Sequence, residues 1–230
     1  MIGRRALLVA LSGAALLAAG CSSTPSTGPA ASPALTSSAD ALSAAATAMK
    51  AVTSAHFTLT VNGSLPQLTV HQAEGDLTSS GQAQGHGTIS QFGQLVEVDF
   101  AVIGKDLYLK GPTGGYTKIP AALAGQIYDP TAILNPDKGV AAVLAGLTSP
   151  GTLSTTDTSY TVTGTVPKAL AAALVPGITA DVPGSFAIDR SSLRVSSVTL
   201  SPNGSDGKAA SVVLALTDYD KAVTVTTPAT

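Results

Sequence analysis

The chain has 230 residues, 44% of them hydrophobic and only 11% charged, with 12 basic and 14 acidic side chains, one Cys and no Trp. This balance excludes a nucleic-acid binder, which needs a stripe of Lys and Arg, chain-wide disorder, which needs low hydrophobicity with high net charge, and a disulfide scaffold, which a single thiol cannot build. The remaining class is a domain of ordinary size with an aliphatic interior and a surface built from Ser, Thr, Gly and Asn.

Arg4 and Arg5 precede residues 6–19, a run of small and apolar side chains. A membrane-spanning helix needs about 20 such residues, so the run reads as the core of a signal peptide over 1–20. It ends in Leu17-Ala18-Ala19-Gly20-Cys21, which resembles a bacterial lipobox, with Ala18 where that pattern usually has Leu. Cys21 is therefore the expected lipidation site. The bland alternative is a secreted protein with a stray thiol, which has little structural use for it. Removing Arg4 and Arg5 leaves ten basic and fourteen acidic residues, so acyl chains and not headgroup attraction would hold the mature protein on the membrane. Residues 21–38 are uncharged and rich in Ser, Thr and Pro, as expected of a flexible tether to a domain over 39–230.

The domain is predicted to open with a helix capped by Ser38, with Leu42, Ala46, Met49 and Val52 on one face. From His56 the period changes to two. Phe57, Leu59 and Val61 alternate with Thr58 and Thr60, and Asn62-Gly63 supplies a turn. A strand restarts at Leu68 and Val70, and Gly75, Gly81, Gly85 and Gly87 punctuate the stretch after it. Val96, Val98, Phe100 and Val102 alternate with Glu97 and Asp99 as a half-buried strand, and 107–109 form the next. A helical insert comes after these strands: 121–127 behind Pro120, a short turn over 129–134, and a helix capped by Asn135 with Val140, Val143, Leu144 and Leu147 on one face. Further strands are expected over 160–166, 185–189, 193–200, 212–216 and 223–227, with a helix over 167–174 and a hairpin connection over 202–207. Strand blocks flanking clustered helices predict an α+β fold, a curved antiparallel sheet with helices on its concave side.

Catalytic chemistry is scarce. His56, His71 and His86 stand 15 residues apart, which is not metal-ligand spacing, and no Gly-x-Ser-x-Gly elbow occurs. Gly104-Lys105-Asp106 and Gly207-Lys208-Ala209 lack the remainder of a phosphate loop, and Gly85-His86-Gly87 lacks the third glycine of a dinucleotide fingerprint. Asp76, Glu97, Asp99 and Asp106 could cluster, but alternation sends Glu97 and Asp99 outward. No enzyme activity, metal or cofactor is expected.

Two strings carry a resemblance. Ser54-Ala55-His56-Phe57-Thr58-Leu59-Thr60-Val61-Asn62-Gly63 and, more specifically, Ile127-Tyr128-Asp129-Pro130-Thr131-Ala132-Ile133-Leu134-Asn135-Pro136-Asp137-Lys138-Gly139 resemble the mycobacterial lipoprotein family of LppX, LprA, LprF and LprG, with LprG the nearest in pattern. The resemblance covers about residues 39–227. It implies a half-barrel sheet packed on helices around an apolar cavity, LolA/LolB-like, that holds multi-acyl lipids such as triacylglycerol or acylated glycolipids. It also implies transfer of those lipids from the inner membrane toward the cell envelope, a major-facilitator transporter as partner, and a monomer lipid-anchored on the periplasmic face of the cell membrane, partly shed to the cell wall.

Phe57, Leu59, Val96, Val98, Phe100, Val102, Ile133, Val143 and Leu147 are the candidate lipid-binding wall. Periodicity assigns them an inward face and leaves open whether that face is a cavity or a filled core. A protein-binding or structural envelope lipoprotein without cargo is the alternative reading.

Overall fold

Alternation from Ser54 onward becomes a single 11-stranded antiparallel sheet. The structure, a computed structural model, describes residues 35–66, 68–120, 128–204 and 207–229. The expected signal peptide, Cys21, most of the tether and the helix over 121–127 lie outside the described residues. Helix α1 (Ser38–Lys50) leads into strands β1 (Ser54–Asn62), β2 (Val70–Thr78), β3 (Ala83–Gln91), β4 (Gln94–Ile103), β5 (Asp106–Lys110) and β6 (Thr117–Pro120). A 3-10 helix (Pro130–Leu134) and α2 (Val140–Ala145) come next, then β7 (Ser154–Thr155), β8 (Ser159–Val166), α3 (Lys168–Leu174), β9 (Val182–Asp189), β10 (Val195–Leu200) and β11 (Ser211–Thr217).

The strand order is β6-β5-β4-β3-β2-β1-β11-β10-β9-β8-β7. Two meanders are joined in the middle by β1 and β11, where Phe57 pairs with Leu216 and Leu59 with Leu214. The sheet is an open half-barrel with β6 and β7 as its edges. Its concave face holds Phe57, Leu59, Phe186, Val198 and Leu214, all buried, and the helices lie on this side. Ala34–Thr230 form one compact unit whose core is supplied by these layers.

Glycine permits the bend. Phe57, Gly75, Gly85 and Phe100 lie on one rung across β1 to β4. Strands about 4.8 Å apart would hold β1 and β4 some three spacings from each other in a flat sheet. The Phe57 and Phe100 rings nevertheless meet at 6.4 Å, tilted by 46°. A Cβ on Gly85 would lie 2.0 Å from the carbonyl oxygen of Glu74, and one on Gly75 would lie 2.1 Å from that of Gln84. Side chains there are therefore excluded, and the rings fill the space above the glycines.

Several expectations are corrected. The cap of α1 is Ser37, whose hydroxyl accepts from the Asp40 N–H at 3.1 Å, while Ser38 donates to the Gly151 carbonyl. Leu35 packs on the core and its N–H donates to the Tyr160 hydroxyl, so residues 35–38 of the expected tether are held against the domain. Pro120 ends edge strand β6, where its missing N–H removes no ladder bond from the interior of the sheet. Asn135 does not cap a helix. Its side chain accepts from the Asp137 and Lys138 N–H groups, a local turn that competes with helix, and α2 starts only at Val140 and leaves Leu147 beyond its end.

Strand β3 carries Gly85 and Gly87, and its period-two signal is lost in the sequence because glycine has no side chain to alternate. Residues 223–227 form no strand. Both sides of β11 are already occupied by β1 and β10, so the chain turns away at Asp218 and Asp220, both at positive φ.

Candidate functional site

Beneath the glycine-bent half of the sheet lies an apolar cavity of about 40 Å³, open to solvent, between β2–β5 and the segment entering the 3-10 helix. Its wall includes Val70, Ile89, Val98, Phe100, Leu109 and Tyr128. Space exists here for a local reason. Val98 pairs with Gly87 and Phe100 with Gly85, so alternate large and absent side chains leave the concave face unfilled. A second, smaller space of about 10 Å³ lies between β1, β10, β11 and α3, lined by Leu59, Leu174, Val198, Leu200, Val212 and Leu214, with Tyr128 again on its wall. Tyr128 thus stands between the two. It is buried, and burial, with the Asp129 charge as a smaller cause, pushes its hydroxyl pKa well above the usual tyrosine range. Asp129 caps the adjoining 3-10 helix by accepting from the Thr131 N–H at 3.0 Å and hydroxyl at 2.7 Å, which fixes the chain just beyond Tyr128.

The nine expected wall residues are dispersed. Val98 and Phe100 line the larger space and Leu59 the smaller. Phe57, Val102, Ile133 and Val143 are buried in the core and line neither. Leu147 packs against the core beside β8, where a Cβ on Gly164 would lie 2.7 Å from it. Val96 is half-buried at the base of the β3–β4 hairpin. Tyr128, Val70, Ile89 and Leu109 were not among the expected wall residues. The first lies in the Tyr-Asp-Pro string that carried the resemblance, and Leu109 lies in a strand whose outline was legible. Ile89 sits on the glycine-masked strand.

The outer face carries a row of polar side-chain pairs. His56 meets Asp76 at 2.9 Å, His86 meets Glu74 at 3.0 Å, Lys110 meets Asp99 at 3.5 Å and Lys118 meets Asp106 at 2.8 Å. Of the acidic residues that could have clustered, Asp76, Asp99 and Asp106 thus each meet a single basic side chain. Among the described residues no group of three or more His, Cys, Asp or Glu is placed to hold a metal ion. Likewise, no described helix is long and apolar enough to cross a membrane.

Residues 37–225 match the family described as LppX_LprAFG lipoprotein. The chain belongs to this family. It is 34% identical over 234 residues, 98% of this chain and 96% of the other, to a Mycolicibacterium smegmatis protein named lipoarabinomannan carrier protein LprG. Crystal structures of two members share the fold of this LppX_LprAFG protein. LprF from Mycobacterium bovis superposes with a TM-score of 0.69 at 24% identity, covering 84% of this chain and 97% of that one. The lipoprotein LppX of Mycobacterium tuberculosis gives 0.60 at 17% identity, covering 82% and 98%.

Proposed function

We propose that the protein is a membrane-anchored carrier that binds multi-acyl lipids, triacylglycerol or acylated glycolipids, against the concave face of its sheet and moves them from the inner membrane toward the cell envelope. The observation that carries this reading is the apolar cavity of about 40 Å³ between the sheet and the helix-bearing segments, in a chain whose full-length relative is named a lipoarabinomannan carrier. A multi-acyl lipid exposes dozens of methylenes, each costing roughly 0.8 kcal/mol in water, so it cannot cross an aqueous compartment without such a shelter.

At the ~10–15 Å³ that one water-sized group takes, the cavity of about 40 Å³ shelters only about three methylenes as it stands. Accommodating several acyl chains requires the helix layer to part from the sheet, and displacement of Tyr128 would join the two apolar spaces. The anchor in this reading is acylated Cys21, exposed after removal of residues 1–20, with 21–38 as the tether of a domain over 39–230. A major-facilitator transporter supplies or accepts cargo, and no catalytic step is involved.

The test is to express a signal-less Cys21→Ala form in a lipid-rich mycobacterial-type host, purify it without detergent and extract it for lipid analysis. Near-stoichiometric multi-acyl lipid is expected. A protein that emerges lipid-free and takes up no acylated lipid on incubation would refute the carrier reading and favour a cargo-free envelope role.

A further inference from the structure

The β3–β4 hairpin reaches past its neighbours in the sheet. On one side β2 pairs with β3 as far as Val70 opposite Ile89, with one further bond from the Ser90 N–H to the Thr69 carbonyl. On the other, β5 pairs with β4 only from Asp99 to Ile103. The tip turns on Phe92 and Gly93, at φ 51° and 79°. Two consecutive positive φ values are required by a tight two-residue hairpin turn, and Gly or Asn normally supplies them. A bulky aromatic in the left-handed region is uncommon, and such residues point to function more often than to packing. Phe92 gains no burial in return. It is 100% exposed and Leu95 is 65% exposed, the large hydrophobic side chains most open to water among the described residues.

The surroundings narrow the range of surfaces this tip could touch. Residues 87–96 carry no ionisable side chain. Gly87 and Ile89 of the same stretch line the cavity, as does Val98 just beyond it, so the finger and the cavity wall are one continuous ribbon. A stable protein–protein contact needs roughly 800 Å² on each partner, with polar pairing around an apolar centre. A two-residue tip flanked by Gln91 and Gln94 offers neither. It does match the boundary of a bilayer, where an aromatic and a leucine enter the acyl region while uncharged amides remain among the headgroups.

We propose that the β3–β4 hairpin tip inserts into the lipid bilayer, with Phe92 and Leu95 as the inserting side chains, and so brings the β3–β4 wall of the cavity to the membrane surface. Its purpose, loading or unloading cargo without exposing acyl chains to water, rests on the carrier reading. The contact itself can be tested apart from it.

The chain has no Trp, so Phe92→Trp in the compact unit of residues 34–230 introduces a single fluorescent reporter at the tip. On vesicles of phosphatidylethanolamine and phosphatidylglycerol its emission should shift to the blue and be quenched by brominated acyl chains. Because the tip is uncharged, pure phosphatidylcholine vesicles and high salt should give the same response. The double variant Phe92→Ser, Leu95→Ser should bind vesicles at least about tenfold more weakly. It should still take acylated lipid from detergent micelles as the parent does.

Emission that stays water-like at saturating vesicles would overturn the inference, and so would vesicle binding that survives the double substitution or disappears in salt. Loss of micellar loading in the double variant would also overturn it, by making the tip part of the cavity. A parent that takes no lipid from micelles would refute the carrier reading, while the fluorescence still decides the membrane contact.

Discussion

Replacing Val98 with Trp places the largest side chain over the smallest rung of the cavity. Val98 lines the space, is half-buried, and pairs with Gly87, which offers nothing to collide with. Since one water-sized group takes ~10–15 Å³, about 40 Å³ holds about three methylenes. At ~0.8 kcal/mol each, their gross burial is about 2 kcal/mol.

An indole in place of an isopropyl group adds about seven heavy atoms and so fills that space, removing about 2 kcal/mol of gross acyl burial. Losing most of this lowers lipid loading about tenfold. Overpacking costs the fold about 1–3 kcal/mol, within a typical stability of about 5–15 kcal/mol. Lipid per protein by mass spectrometry of the intact complex, beside a thermal melt, reads the two effects separately. A folded Val98→Trp protein with undiminished loading would place the acyl site elsewhere, and the cavity reasoning would be refuted.

Tyr128→Ala should merge the two apolar spaces, because Tyr128 lines both, and shift bound cargo toward more acyl carbons while lowering the melting temperature; an unchanged lipid profile would count against a partition at Tyr128. Gly85→Ala should destabilise the domain by more than the ~1–3 kcal/mol of ordinary overpacking, since the new Cβ meets backbone at 2.0 Å. Gly111→Ala, with nothing within 4 Å, should change urea stability by less than about 0.5 kcal/mol. Asp220 accepts from the Thr53 N–H and hydroxyl at 2.8 and 3.0 Å and pairs with Arg194, which together hold its carboxyl below the usual Asp value. A depressed folded-state pKa stabilises above the unfolded value near 3.8 and is lost as pH falls through the folded one, so Asp220→Asn should flatten the denaturation midpoint's fall below about pH 4.

How much was legible from residues alone depended on whether side chains alternate. In β1, Phe57, Leu59 and Val61 alternate with threonines, and all three are buried as that pattern requires. In β3, glycines at 85 and 87 erase the alternation, and the strand could be found only through its partners. The same glycines bend the sheet and leave the cavity, so the least legible strand is the one that makes the site. Residues 223–227 show the reverse failure, since they alternate without a free strand edge beside them.

The sequence by itself determined the scarcity of charge, the period-two face of most strands, the family, and the Cys21 motif, because each is written in local residue order. Which of the inward residues face empty space was decided only by tertiary structure. Phe100 lines the cavity, while Val102, on the same face two residues later and equally buried, lines neither space. A period assigns a direction to a side chain. Whether anything stands opposite depends on partners brought together from β2, β5 and Tyr128, and local order carries no record of that meeting.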